Sequence, residues 1–272
     1  MSAHLLVLPI VLPLLVAALQ LLLGERRRRL VATLSVASCV ALVVLAAALL
    51  VSVTGASAGD GLTAVYRIGD WPARFGIVLV ADRLSVLMVL LTSVLSLALL
   101  PYALSRWQHR GGHFQSLLQF LLMGLNGAFL TGDLFNLFVF FEVLLAASYG
   151  LVLHRPGARR VSAGLHYIAI NLLASMLFLI GVSLIFGVTG TLNMAALAQL
   201  IPTVPDKTRA LLHAGAAILG VAFLVKAAMW PLGFWLPRTY AAAAAPVAAM
   251  FAIMTKVGIY VLLRLSLLLF GA

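Results

Sequence analysis

Gly132–Tyr149, GDLFNLFVFFEVLLAASY, is a run of aromatic and aliphatic residues long enough to enter a bilayer, and it carries one carboxylate, Glu142, near its middle. A charge at that depth costs about 2.5–3.5 kcal/mol on insertion scales, so it is rarely present without a partner or a task. Two further apolar stretches each hold a single mid-span lysine, Lys226 and Lys256. Any reading of the chain has to explain one acid and two bases expected to be buried among apolar helices.

Composition narrows the class. Of 272 residues, 64% are hydrophobic and 9% charged, whereas soluble domains run at about 45–50% apolar and about 25% charged. The chain reads as an all-α, polytopic membrane protein. Its net charge of +11 would suggest nucleic acid in a soluble protein, but here the excess is arginine in short connections, the pattern that orients membrane proteins. No nucleic-acid partner is expected. The single cysteine, Cys39, excludes an intrachain disulfide. Met1–Leu23 lacks a charged leader and a small-residue cleavage site, so it reads as a retained first span.

With roughly 20 apolar residues needed per crossing, eight transmembrane helices are expected: His4–Leu23, Leu30–Val53, Ile77–Ala103, Phe114–Thr131, Leu134–Leu153, Ala163–Gly187, Leu211–Leu236 and Ala245–Leu267. One set of connections carries Arg26 to Arg29, Arg106, Arg110, Arg155, Arg159, Arg160 and Arg238, with Glu25 the one acid. The other set mixes Arg67, Arg74, Lys207 and Arg209 with Asp60, Asp70 and Asp206. The first set is therefore assigned to the cytoplasm, in a multi-pass cell-membrane protein. Between the spans, Thr54–Gly76 carries the turn signals Gly59-Asp60-Gly61 and Gly69-Asp70 and is expected to form a short hairpin. The stretch TGTLNMAALAQL is expected to form a short helix on the membrane surface.

The seventh span is not continuous. Lys226 is followed by Pro231, Gly233 and Pro237, in KAAMWPLGFWLPR. Proline removes a backbone donor and clashes with the preceding turn, so a break is expected near Trp230. Irregular backbone at membrane depth survives only when buried in protein or beside a wet cavity. A break beside a lysine marks a polar pathway. In a low-dielectric medium the protonation of a carboxylate or an amine follows its partners and its access to water, which suits Glu142, Lys226 and Lys256 to proton carriage. His166 is a possible further member of that path. Asp82 and Arg83 are expected to pair locally, and Asp133 to cap a helix. No catalytic residue, cofactor or metal is expected, because the connections are too short for a pocket and metal-ligand spacing is absent.

Four ordered motifs carry a resemblance: GDLFNLFVFFEVLLAASYGLV, TGTLNMAAL, FLVKAAMWPLGFWLP and MTKVGIYVLLR. Together they resemble the antiporter-like membrane subunits shared by respiratory complex I, membrane hydrogenases and Mrp-type cation/proton antiporters, and are most similar to the D subunit of the Mrp type. The resemblance implies two regions, residues 1–113 with three helices and residues 114–272 with a five-helix proton-translocation unit whose seventh helix is broken. It also implies that Glu142 pairs with Lys226 and that Lys256 passes the proton sideways. The implied partners are other membrane subunits of a hetero-oligomeric complex, lipid, protons and sodium. The implied alternatives are a proton-pumping subunit of NADH:quinone oxidoreductase or a hydrogenase, and a non-conducting scaffold. The family pattern has about fourteen spans with a second, inverted five-helix unit, so this sequence is expected to correspond to the first half.

Overall fold

The structure, a computed structural model, describes residues 3–55, 63–71, 76–106, 113–154 and 157–269. The Gly59-Asp60-Gly61 turn, Arg74, Arg110 and Arg155 lie outside the described residues. In chain order the elements are α1 (Leu8–Leu23), α2 (Arg28–Thr54), β1 (Ala64–Arg67), β2 (Val78–Ala81), α3 (Arg83–Arg106), α4 (Phe114–Leu130) and α5 (Leu134–Val152). Then follow α6 (Ala158–Thr189), α7 (Met194–Leu200), α8 (Asp206–Lys226), α9 (Trp235–Ala242) and α10 (Ala245–Leu269). Six of them, α2, α3, α5, α6, α8 and α10, are long and apolar enough to cross a membrane; α1 and α4 are shorter apolar helices of 16 and 17 residues.

The distribution of polar groups is that of a membrane bundle. Large apolar side chains such as Leu15, Val44, Leu173 and Leu267 are exposed on the outside, while Gln20, Ser35, Ser38, Gln115, Gln119 and Asn126 are buried. In hydrocarbon, packing and interhelical hydrogen bonds hold helices together. Gln20 Nε2 donates to Ser35 Oγ at 2.7 Å, Ser35 Oγ to Gln115 Oε1 at 2.7 Å, and Ser38 Oγ to Gln119 Oε1 at 3.0 Å. These bonds tie α1 and α2 to α4, which is buried along almost its whole length. Pro13 lacks the N–H that would normally bond the carbonyl four residues back, at Pro9. Asn126 Nδ2 donates to that carbonyl at 2.8 Å and satisfies it.

The two ends of the bundle differ. One end gathers the starts of α2, α4 and α6 with the end of α9, where Arg160 Nε donates to Ala242 O at 2.9 Å. This is the arginine-rich end. At the other end β1 and β2 form an antiparallel pair, Ala64 opposite Ala81. The α4–α5 turn joins that pair through Gly132 N to Val78 O at 2.8 Å, and the α6–α7 link joins the turn through Met194 N to Gly132 O at 2.9 Å.

Several expectations change in detail. The hairpin's second strand, Val78–Ala81, occupies what the hydrophobic run suggested was the start of the third span; the helix begins at Arg83 because Asp82 caps it, its Oδ1 accepting from Ser85 N at 2.7 Å. Asp82 does not pair with Arg83. Its other oxygen accepts from Arg264 of α10, at 2.5 Å. The helix expected within TGTLNMAALAQL is α7, capped by Asn193, but Met194 and Leu197 are buried, so it packs into the fold instead of lying on a surface. Asp133 caps α5 as expected, accepting from Phe135 N at 2.8 Å and Asn136 N at 2.9 Å. Burial pushes its carboxyl above the usual carboxylate range, against the pull of those two amides.

Candidate functional site

Three helices bring the site together. Glu142 lies eight residues into α5, Ser175 midway along α6, and Lys226 in the last turn of α8. The backbones of α6 and α8 approach closely because glycines face each other: a Cβ on Gly181 would meet Gly215 O at 2.9 Å, and one on Gly215 would meet Gly181 O at 3.1 Å. Small residues at such a crossing let side chains further along bridge the two helices. Here the bridge is Ser175.

Glu142 and Lys226 are brought together, but not as the direct ion pair that the resemblance implies. Ser175 Oγ donates to Glu142 Oε1 at 2.5 Å, and Lys226 Nζ donates to Ser175 Oγ at 3.0 Å. The hydroxyl serves both charges at once, since it has one proton to give and lone pairs to receive. Two hydrogen bonds meeting near the tetrahedral angle at Oγ place the carboxylate oxygen and the ammonium about 4.5 Å apart. Lys226 is buried, and its Nζ sits 5.0 Å from the centre of the Phe141 ring, whose electron-rich face attracts a cation. Glu142 is half-buried.

The helix break makes this geometry possible. α8 stops at Lys226, earlier than the Trp230 expected from the prolines, and Ala228 adopts φ +53°. The Trp230–Pro231 peptide is cis. A helix end leaves carbonyls without intrahelical donors; Val225 O, one of these, accepts from Ala228 N just past the helix and from Trp235 Nε1 of α9, each at 3.0 Å. The negative end of the α8 dipole is thus held inside the bundle, beside the ammonium it favours. α10 presses against the break at Gly258, where a Cβ would meet Ala227 N at 2.8 Å.

The other two sequence candidates lie apart. Lys256 was expected to be buried; it is exposed on the outer face of α10, while its neighbours Thr255 and Val257 are buried. His166 is nine residues from Ser175, two and a half turns along α6 and so on the opposite face. Its ring packs against Phe234 at 5.9 Å. Sequence reasoning passed over Ser175 altogether. The signal was present as a hydroxyl residue at mid-span in α6, but serine is common in membrane helices and nothing in one sequence distinguishes a bridge from a packing residue.

Residues 131–272 match the family described as NADH:quinone oxidoreductase/Mrp antiporter, transmembrane region. The chain is 60% identical to the D subunit of a probable K(+)/H(+) antiporter of Rhizobium meliloti (strain 1021), across 98% of this chain and 50% of that protein. It is 40% identical to the D subunit of a Na(+)/H(+) antiporter of Alkalihalophilus pseudofirmus, across 98% of this chain and 53% of that protein. Among solved structures, one chain of the Mrp complex from Dietzia sp. DQ12-45-1b superposes with a TM-score of 0.90 at 35% identity, covering 100% of this chain and 50% of that one. The chain thus spans about half the length of the relatives it matches.

Proposed function

This chain belongs to the NADH:quinone oxidoreductase/Mrp antiporter transmembrane family, and on that premise we propose that it forms part of the proton-translocation path of a multisubunit monovalent cation/proton antiporter. The observation that carries the reading is the Glu142–Ser175–Lys226 chain, placed inside the bundle at a broken helix. An acid and a base about 4.5 Å apart and joined through one hydroxyl can exchange a proton without separating charge over a long distance. Each protonation of Glu142 weakens the hold on Lys226, and each ionisation restores it. Residues 114–272 are read as a five-helix unit, α4 to α6, the broken α8–α9 pair and α10, with the first three helices as its flank. Lys256, on the outer face of α10, is read as the next proton carrier, accepting from this unit and handing on to a neighbouring element. The relatives' names carry potassium in one case and sodium in the other, so the exchanged ion is proposed as a monovalent alkali cation. Further membrane subunits are the proposed partners.

The test is Glu142→Gln in the assembled complex, reconstituted in vesicles and assayed by cation-driven collapse of a pH gradient. Gln keeps the volume and a hydrogen-bonding carbonyl but cannot ionise. Flux at least tenfold lower, with assembly unchanged, is the expected outcome; wild-type flux would overturn the reading.

A further inference from the structure

At the arginine-rich end, the start of α6 and the end of α9 enclose a cleft of about 590 Å³. Its polar lining is Arg159 and Ser162 of α6 and Arg238 of α9, set among alanines of both helices. The alanines add little bulk, so the space stays open, while Arg160 Nε holds the two helices together through Ala242 O at 2.9 Å.

The cleft carries unbalanced positive charge. Arg159 and Arg238 are exposed, and among the described residues neither is paired with a carboxylate. Of the acids whose side chains are described, Asp70, Asp82, Asp133 and Asp206 sit at the hairpin end and Glu142 at mid-span. Arg238 Nη2 donates to Ser162 Oγ at 3.5 Å. A guanidinium has five N–H donors, so one long bond leaves its fork open to a larger acceptor. Two such forks across a gap match the oxygens of a phosphate, which guanidinium groups bind in bidentate fashion.

Depth identifies the source of that phosphate. Glu142 is the ninth of 19 residues in α5. That helix is about 28 Å long, close to a hydrocarbon core of about 30 Å, so the Glu142–Ser175–Lys226 chain lies near the middle of the bilayer. Ser162 and Arg159 come 13 and 16 residues before Ser175 on α6, about 20 and 24 Å along its axis. The headgroup region ends about 20–22 Å from the bilayer centre. The cleft is therefore level with the lipid phosphates. One turn deeper the surface becomes apolar: Leu165 on α6 and Phe234 before α9 are both exposed. Basic pockets between membrane helices at this level suit the headgroups of anionic lipids.

We propose that this cleft binds one anionic phospholipid from the leaflet at the arginine-rich end. Its phosphate lies between Arg159 and Arg238 and accepts from the Ser162 hydroxyl, and one acyl chain runs along Leu165 and Phe234. A choline headgroup, which adds a cation beside the two arginines, is disfavoured. The lipid joins α6, which carries Ser175, to α9, whose Trp235 bonds the broken end of α8 beside Lys226. It thus clamps two of the elements that shape the site. The binding itself does not depend on whether Glu142 carries protons.

The probe is a phosphatidylglycerol with a photoreactive diazirine in one acyl chain, added to the purified, assembled complex in detergent. Labelled peptides of this chain are mapped by mass spectrometry. Label should fall on residues 158–166 and 234–242, and unlabelled phosphatidylglycerol should displace it at least tenfold better than phosphatidylcholine or inorganic phosphate. Arg159→Gln combined with Arg238→Gln should lower it at least tenfold; both side chains are exposed, and assembly is checked by size-exclusion chromatography. Arg26→Gln combined with Arg27→Gln removes the same charge from the same end and should leave the label within twofold.

Equal displacement by phosphatidylcholine, or an equal loss in the Arg26 and Arg27 variant, means a lipid annulus without a site and overturns the proposal. Displacement by inorganic phosphate at the same concentration overturns it in favour of a soluble anion. The clamp has its own readout. Antiport should run severalfold faster in phosphatidylglycerol vesicles than in phosphatidylcholine vesicles, and the Arg159 and Arg238 variant should lose that difference. A difference that persists in full sinks the clamp.

Discussion

Replacing Ser175 by alanine tests whether the bridging hydroxyl, and not proximity alone, couples Glu142 to Lys226. In the native geometry the two charges are about 4.5 Å apart, worth about 4 kcal/mol at an effective dielectric constant of 20. Without Oγ, both hydrogen bonds vanish, each worth about 1.5–3 kcal/mol to a charged partner. The simplest relief is for the two groups to close to about 3 Å, where the same estimate gives about 5.5 kcal/mol. The gain of about 2 kcal/mol in attraction falls short of the two bonds lost, about 3–6 kcal/mol together, so the variant holds Lys226 less firmly and lacks the hydroxyl that relays its proton. Antiport in vesicles should therefore fall at least about tenfold in Ser175→Ala while assembly is unchanged. Ser175→Thr keeps a hydroxyl at the same branch point and should retain most of the rate. A full rate in Ser175→Ala, or an equal loss in the threonine variant, would refute the bridging argument.

Two further outcomes follow from the packing around the site. Gly258→Val puts a branched side chain where a bare Cβ already meets Ala227 N at 2.8 Å, so α10 must move away from the broken helix; overpacking of this kind costs about 1–3 kcal/mol, and thermal denaturation of the detergent-solubilised complex should begin at lower temperature. Asp133 has a carboxyl raised by burial, so the stability tied to its protonated form is fully present below its unfolded value of 3.8 and is lost as pH rises through the higher folded value. Asp133→Asn keeps a good cap without the charge, and should remove that part of the pH dependence when melting is compared from about pH 4 to about pH 7.

Some of this fold is legible in the sequence for a plain reason: a charge inside an apolar run has few innocent explanations. Glu142 and Lys226 stand out that way, and the prolines after Lys226 announce the break. What failed to show is what apolar composition hides. Ile77–Ala103 reads as one hydrophobic run, yet its first residues are a strand, and the only mark of the boundary was the capping pattern Asp82 to Ser85, a weak signal inside a strong one. Arg264 finds Asp82 across 182 positions, a pairing that no local spacing encodes. The exposure of Lys256 was hidden too, because a membrane helix is apolar on both its protein face and its lipid face, so the pattern that reveals orientation in soluble helices is muted.

That exposure bears on how the path continues. On α10, Ala252, Lys256, Ile259, Leu263 and Leu267 form one exposed stripe, with the ammonium near its middle. Facing hydrocarbon there would cost about 2.5–3.5 kcal/mol, with no carboxylate of this chain paired to it to offset the loss among the described residues. Lys226 avoids such a penalty through Ser175, the Phe141 ring and the end of α8. An ammonium that is stranded in the isolated unit but set at the depth of a proton path is better placed to serve an interface than to serve lipid. On the proposed reading, the stripe is where α10 meets the next element, and Lys256 is the group through which Glu142 and Lys226 would act on it.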